Sequence, residues 1–147
     1  MKRNFGLMLA TYTERKTKKG TRRMENKRTR PLPNLRSLNI QGREWYDKYY
    51  GNSYHAVRIW ANGKHLVDIG MTYGYGDMYL HTALVWLKKW QLIDEDINYI
   101  YELRDSLDLY TSLNAGLKKD LYKDTTKDKI AWIHAQIQIQ GLKNGEF

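Results

Sequence analysis

Ser53-Tyr54-His55-Ala56-Val57-Arg58-Ile59-Trp60 alternates as a strand, Asn62-Gly63 follows after Ala61, and His65-Leu66-Val67-Asp68-Ile69-Gly70-Met71 reads as the return strand. Asn-Gly is the preferred pair for a two-residue type I′ hairpin, because both central residues of that turn need positive φ. Such a turn sets Trp60 opposite His65, Ile59 opposite Leu66, Arg58 opposite Val67 and Ala56 opposite Ile69. One face then carries Tyr54, Ala56, Trp60, Val67, Ile69 and Met71; the other carries His55, Val57, Ile59, Leu66 and Asp68. The first face is the more apolar and is expected to meet a helix. The second is expected to be partly covered, or open to a partner.

Working outward, Trp45-Tyr46-Asp47-Lys48-Tyr49-Tyr50 has strand-favouring aromatics, and Gly51-Asn52 supplies turn chemistry. A three-stranded antiparallel β-meander results. On the other side lies Thr72-Tyr73-Gly74-Tyr75-Gly76-Asp77, where the strand pattern gives way to a helical one. Asp77 is expected to cap a helix running to about Trp90, with Leu80, Ala83, Leu84 and Leu87 as its stripe and Tyr79, Trp86 and Trp90 widening it. The glycine–tyrosine loop lacks the third glycine of a dinucleotide fingerprint and the Gly-Lys-Ser/Thr end of a P-loop, and Asp77 would repel an anion there. It reads as a connector whose Tyr73 and Tyr75 form a contact surface.

Asp94-Glu95-Asp96 suits the start of a second helix through Ile97, Ile100, Tyr101 and Arg104. Residues 107–124 are ambiguous: Leu107, Leu109 and Leu113 extend that helix, or Asn114-Ala115-Gly116 breaks it. The last helix opens at Thr125-x-x-Asp128, takes Ile130, Ile133 and Ile137 as its apolar repeat with Trp132 and Ile139 beside them, and stops at Gly141. The expected fold is α+β: the meander, a central amphipathic helix and two or three further helices. Residues 37–147 form one compact domain, with 43–92 as meander plus helix and 93–147 as a helical part. A flexible basic arm, residues 1–36, precedes it.

The charge supports that division. The chain of 147 residues carries a formal net charge of +9, and residues 1–36 hold 12 of its 25 Lys/Arg against Glu14 and Glu25 alone. The remainder is close to neutral. Residues 11–36 have no apolar period and close with Pro31-Leu32-Pro33, a composition that buries too little surface to offset ordering entropy. Fully extended, the arm reaches on the order of 120 Å. Its tip, Phe5 to Ala10, is apolar, too short for a signal segment and followed by basic residues. No apolar run approaches the ~18 residues of a membrane span. The chain has no cysteine, which removes disulfides, thiolate nucleophiles and Cys-ligated zinc together. A soluble protein of a reducing compartment is expected, with no membrane partner.

Candidate chemistry is sparse. His55, His65, His81 and His134 form no H-x-x-x-H or H-E-x-x-H pattern. On the expected hairpin face, His55 and Asp68 come diagonally close, as an acid–base pair or half a metal site. Asp47 and Asp77 bracket the sheet and offer carboxylates for a magnesium-dependent nuclease. No serine sits in a G-x-S-x-G context. No cofactor or resident metal is expected, and enzymatic activity is not the favoured reading.

The aromatic cluster is more suggestive. Residues 45–101 hold four of the five tryptophans and nine of the twelve tyrosines. Tyr46, Tyr49, Tyr50 and Tyr54 fall beside Arg43, Lys48 and Arg58, where aromatic faces stack on unpaired bases and cations meet phosphates. The same tyrosines equally suit the rim of a small sheet or a protein interface.

The series Trp45-Tyr46-Asp47-Lys48, Gly51-Asn52-Ser53-Tyr54-His55-Ala56-Val57-Arg58 and Tyr73-Gly74-Tyr75-Gly76-Asp77 resembles small proteins encoded by tailed bacteriophages, which carry a similar W-Y-D-K, G-N-S/T-Y, Y-G-Y-G-D series. The resemblance covers about a third of the chain. It implies a phage origin and a host-cytoplasm setting, or a place in the virion, and nothing about catalytic residues. More distantly, β-β-β-α is similar to the second half of a double-stranded-RNA-binding domain. Here Arg30-Pro31-Leu32-Pro33 replaces its preceding helix and Asp77-Met78-Tyr79 its phosphate-facing lysines, so no function carries over.

The expected function is that of a phage accessory protein binding DNA or RNA. Arg15, Lys16, Lys18, Lys19, Arg22, Arg23, Lys27, Arg28 and Arg30 of the arm supply most of the affinity. Arg43, Lys48, Tyr49, Tyr54 and Arg58 of the sheet add contacts, with Tyr73 and Tyr75 in the loop. The alternative is a protein-binding module that inhibits a host or defence complex, or a virion component, ordered against an acidic or ribonucleoprotein host partner.

Overall fold

In the computed structural model, which describes residues 34–145, Asn62 and Gly63 take φ of 52° and 80° and close the anticipated two-residue hairpin. It joins β2 (Asn52–Ala61) to β3 (Lys64–Tyr73). The first strand, β1 (Ser37–Asp47), begins well before the expected Trp45, and Lys48–Gly51 form its turn into β2. Leu38, Ile40 and Gly42 of β1 alternate as buried positions with Ser37, Asn39 and Gln41, the period of a half-buried strand.

The register departs from the ideal hairpin after two pairs, Ala61–Lys64 and Trp60–His65. Trp60 does face His65, but Ile59 then faces Val67, and Val57 faces Ile69. One extra residue on β3 at Leu66 shifts the parity of everything beyond it, and a second irregularity follows before the His55–Thr72 pair. The face assignment is therefore corrected. His55, Val57, Ile59 and Ala61 share a face with Val67 and Ile69 and are buried beneath the helix layer, Ile69 only in part, while Tyr54, Ala56, Arg58 and Trp60 share the opposite face with Asp68.

α1 (Met78–Lys89) buries Tyr79, Leu80, Ala83, Leu84, Trp86 and Leu87, the stripe that the spacing predicts. Asp77 stands at its N-cap position, but its carboxylate makes no capping hydrogen bond, contrary to expectation. The first turn is closed instead by the backbone, Met78 N–H to the Tyr75 carbonyl and Leu80 N–H to that of Asp77. Lys88 and Lys89 sit at the negative helix end.

The second predicted α-helix does not form. Ile97, Ile100 and Leu103 are all buried and recur every three residues, the period of a 3-10 turn, which spans Ile100–Leu103. Residues 108–115 are β4 (Asp108–Ala115), which pairs in parallel with β1 and gives a mixed sheet of order β3-β2-β1-β4. Leu109, Thr111 and Leu113 alternate with exposed neighbours there. The chain is thus α+β, with a four-stranded mixed sheet rather than a bare three-stranded meander and helical tail.

α2 (Lys129–Asn144) opens at Asp128, whose carboxylate accepts from the Ile130 and Ala131 amides. It ends at Gly145, with φ of 77°, and runs through Gly141 without stopping. Its buried residues are Ala135, Ile139, Gly141 and Leu142; Ile130, Ile133 and Ile137, the expected core stripe, are exposed. One contiguous core runs from Leu35 to Leu142. Asn34–Arg36, placed in the arm by composition, belong to this body: Leu35 is buried, and the Asn62 side chain binds Asn34 and Arg36. The rest of the arm lies outside the described residues. No described helix is long and apolar enough to cross a membrane.

Candidate nucleic-acid interface

Because Trp45 pairs with Tyr54 and Tyr54 with Tyr73, three aromatic residues stand side by side across β1, β2 and β3. Trp45 and Tyr54 stack at 5.8 Å between ring centroids, and Tyr73 meets Tyr54 edge to face at 5.8 Å. Tyr73 is 66% exposed and Tyr75, in the following loop, 73%. The ammonium of Lys118 lies over the Trp45 ring, 5.4 Å from its centroid. Beyond the row, Tyr49 and Tyr50 protrude from the β1–β2 turn and pack edge to face at 4.6 Å. Asp47 shapes that turn by accepting from both their amides, at 2.9 and 3.4 Å.

The loop that carries Tyr75 is held from below. Gly74 has φ of 136°, and its carbonyl accepts from the Nδ1–H of His55 at 3.1 Å. A carbonyl only accepts, so Nδ1 bears the proton of the neutral ring. Nε2 then accepts from the Thr82 hydroxyl of α1 at 2.7 Å. Burial lowers the His55 pKa below its ordinary value, against the Gly74 hydrogen bond and the Glu44 charge, which raise it. The Gly76 amide donates to Glu44 at 3.1 Å. These groups are occupied in shaping the junction, and Asp77 sets a carboxylate at the helix start.

On the same face as the aromatic row, residues 116–128 cross the sheet. Their anchor is Asp68, 2% exposed. Its Oδ1 accepts from His65 Nε2 at 2.9 Å and lies 3.7 Å from Arg58 Nε. Lys123 Nζ approaches Oδ2 to 3.4 Å, but no donor is aligned on that oxygen. The Asp68 amide donates to the Thr125 hydroxyl at 2.9 Å, and Asp124 packs on Gly70 so closely that no Cβ would fit. A cavity of about 50 Å³ remains beneath, lined by Gln41, Arg43, Arg58, Asp68, Asp120 and Lys123. The expected His55–Asp68 pair does not exist: the parity shift at Leu66 puts the two on opposite faces, and His65 takes the place of His55.

The structure thus brings Tyr54 and Tyr73 together and leaves Arg43 and Lys48 exposed on the same half of the domain, with Tyr49 beside Lys48. Arg58 is set apart, engaged with Asp68. Arg15, Lys16, Lys18, Lys19, Arg22, Arg23, Lys27, Arg28 and Arg30 lie outside the described residues. Trp45 and Lys118 join the surface although composition did not single them out as contacts; Trp45 was legible once its pairing with Tyr54 was known. Among the described residues, no three His, Cys, Asp or Glu side chains cluster as metal ligands. Compared with known proteins, the chain matches no family model, no curated protein and no solved structure.

Proposed function

We propose that this chain is a small accessory protein, of phage origin as its motif series implies, that binds nucleic acid in the host cytoplasm. The observation that carries the reading is the Trp45–Tyr54–Tyr73 row. Trp45 and Tyr54 brace one another, so the faces left for unpaired bases are those of the exposed Tyr73 at the end of the row and Tyr75 beyond it, and Lys118, Lys48 and Arg43 are cations within the same region for the backbone. The arm's nine cations from Arg15 to Arg30 supply a sequence-independent attraction, the row a preference for single strands.

Fluorescence anisotropy of the full chain with labelled single-stranded and duplex oligonucleotides tests this directly. With six or more phosphate contacts, affinity falls roughly a thousandfold between 50 and 200 mM salt. Replacing the nine arm cations with glutamine in the full chain flattens that salt dependence. Binding that ignores both salt and the arm substitutions refutes the reading.

A further inference from the structure

α2 is apolar on two opposite sides. One side buries Ala135, Ile139 and Leu142; the other presents Ile130, Ile133 and Ile137 at 81%, 55% and 63% exposure. Spacings of three and four align those isoleucines in one stripe. Scattered exposed apolar residues are ordinary, whereas a contiguous stripe marks a place where something binds.

Beside the stripe runs a groove between α1 and α2, walled by Val85, Trp86, Trp90 and Trp132. Trp90 and Trp132 meet edge to face at 4.5 Å along it. Lys89, Lys127 and Lys129 stand on its rim. Lys143 falls on the same edge of α2 as Lys129, four helical turns further on. α2 contains no acid, and Asp128, the one carboxylate among the groove's lining residues, turns Oδ1 to the Ile130 and Ala131 amides at the positive end of α2, against three lysines in the same lining.

We propose that this surface docks an amphipathic helix of another protein, whose apolar face meets the stripe and groove and whose acidic edges meet the lysines. Aliphatic side chains give bases no face to stack on, so the stripe suits a polypeptide rather than a nucleic acid. Charge selects among polypeptides. A second copy of the chain would set the same lysines against each other, and the chain's own apolar tip, Phe5 to Ala10, contains no acid to pair with them and is flanked by Lys2 and Arg3 on one side and Arg15 and Lys16 on the other. The proposal is independent of the nucleic-acid reading.

The test uses the full chain and three labelled synthetic peptides. The first is a helix with leucines spaced three and four apart and glutamate elsewhere. The second replaces glutamate with lysine, and the third scrambles the leucines. Only the first is expected to bind, and the exposed pair of substitutions Ile133→Ser and Ile137→Ser weakens it by about tenfold or more without altering thermal unfolding. Lys129→Glu weakens it as well. Equal binding of all three peptides, indifference to the isoleucine substitutions, or displacement of the first peptide by an oligonucleotide overturns the proposal. So does sedimentation of a dimer that Ile133→Ser dissociates, which would make a second copy the occupant.

Discussion

The ring of Tyr79 lies directly on Gly42, so that a Cβ at that glycine would sit 2.7 Å from Cδ2 and 2.8 Å from Cγ of the tyrosine. α1 therefore approaches β1 closely because that position has no side chain, and Leu113 of β4 closes the same space at 2.9 Å. Burial raises the Tyr79 pKa, while a hydrogen bond with Thr111 on β4 opposes the rise. One glycine thus sets the distance between the helix layer and two strands.

Gly42→Ala forces the ring and Leu113 to shift, and overpacking of this kind costs about 1–3 kcal/mol. Urea unfolding checks it. Combining Gly42→Ala with Tyr79→Leu should cost less than the sum of the two single changes, since the leucine vacates the space that the methyl group needs.

His55 predicts a loss of stability in mild acid. Its folded-state pKa lies below 6.5 and its unfolded-state value at about 6.5, so above that pH both states are neutral and the full stability is present. As pH falls below 6.5 the unfolded chain takes up the proton first, and stability drops by at most about 1.4 kcal/mol per pH unit until the buried ring also protonates. Thermal unfolding from pH 7.5 to 5 should show this slope, and His55→Gln should flatten it. An equal slope in the variant would assign the effect to other groups.

Asn62 does more than turn the hairpin. Its Oδ1 accepts from the amides of Arg36 and Ser37 at 2.7 and 3.1 Å, and its Nδ2 donates to the Asn34 carbonyl at 2.8 Å. The side chain thereby fixes the entry into β1. Asn62→Ala loses these bonds and strains a residue at positive φ, so a cost of about 2–4 kcal/mol is expected. Asn62→Gly keeps the turn and loses only the clamp, and it should fall between the alanine variant and the natural chain in denaturant midpoint.

These cases show which parts of the fold the chain announces locally. The Asn62-Gly63 turn and the α1 stripe are written within a few residues, and both form as read. The bulge at Leu66 is not, because nothing in an alternating run says where one extra residue is tolerated, yet it decides which face Asp68 joins. β4 shows the period of two at Leu109, Thr111 and Leu113, in phase with Leu107 just before it, but a helix claimed the same leucines until the parallel pairing with β1 decided between them. On α2, the periodicity of Ile130, Ile133 and Ile137 marks a stripe that the structure leaves exposed, because the core takes Ala135, Ile139 and Leu142 on the opposite side and spacing alone does not say which side faces it. The Asp68 site depends on Lys123 and Thr125, far along the chain, and no local pattern points to them.

The aromatic row separates stacking from charge. Tyr73 is on an edge strand and mostly exposed, so Tyr73→Ala should leave stability within about 0.5 kcal/mol. If bases stack on the row, the same change weakens single-stranded oligonucleotides by about 1–3 kcal/mol, whereas duplex, whose bases are already stacked, is little affected. Tyr73→Phe keeps the ring and should bind nearly as well as the natural chain, because stacking needs the face and not the hydroxyl. Lys118→Gln acts differently: it removes the cation over Trp45 and should lower affinity for both forms by a similar factor, with a shallower salt dependence. Anisotropy titrations at two salt concentrations distinguish the outcomes. A Tyr73→Ala variant that binds single strands and duplex unchanged would leave the row as sheet packing and assign any affinity to the arm alone.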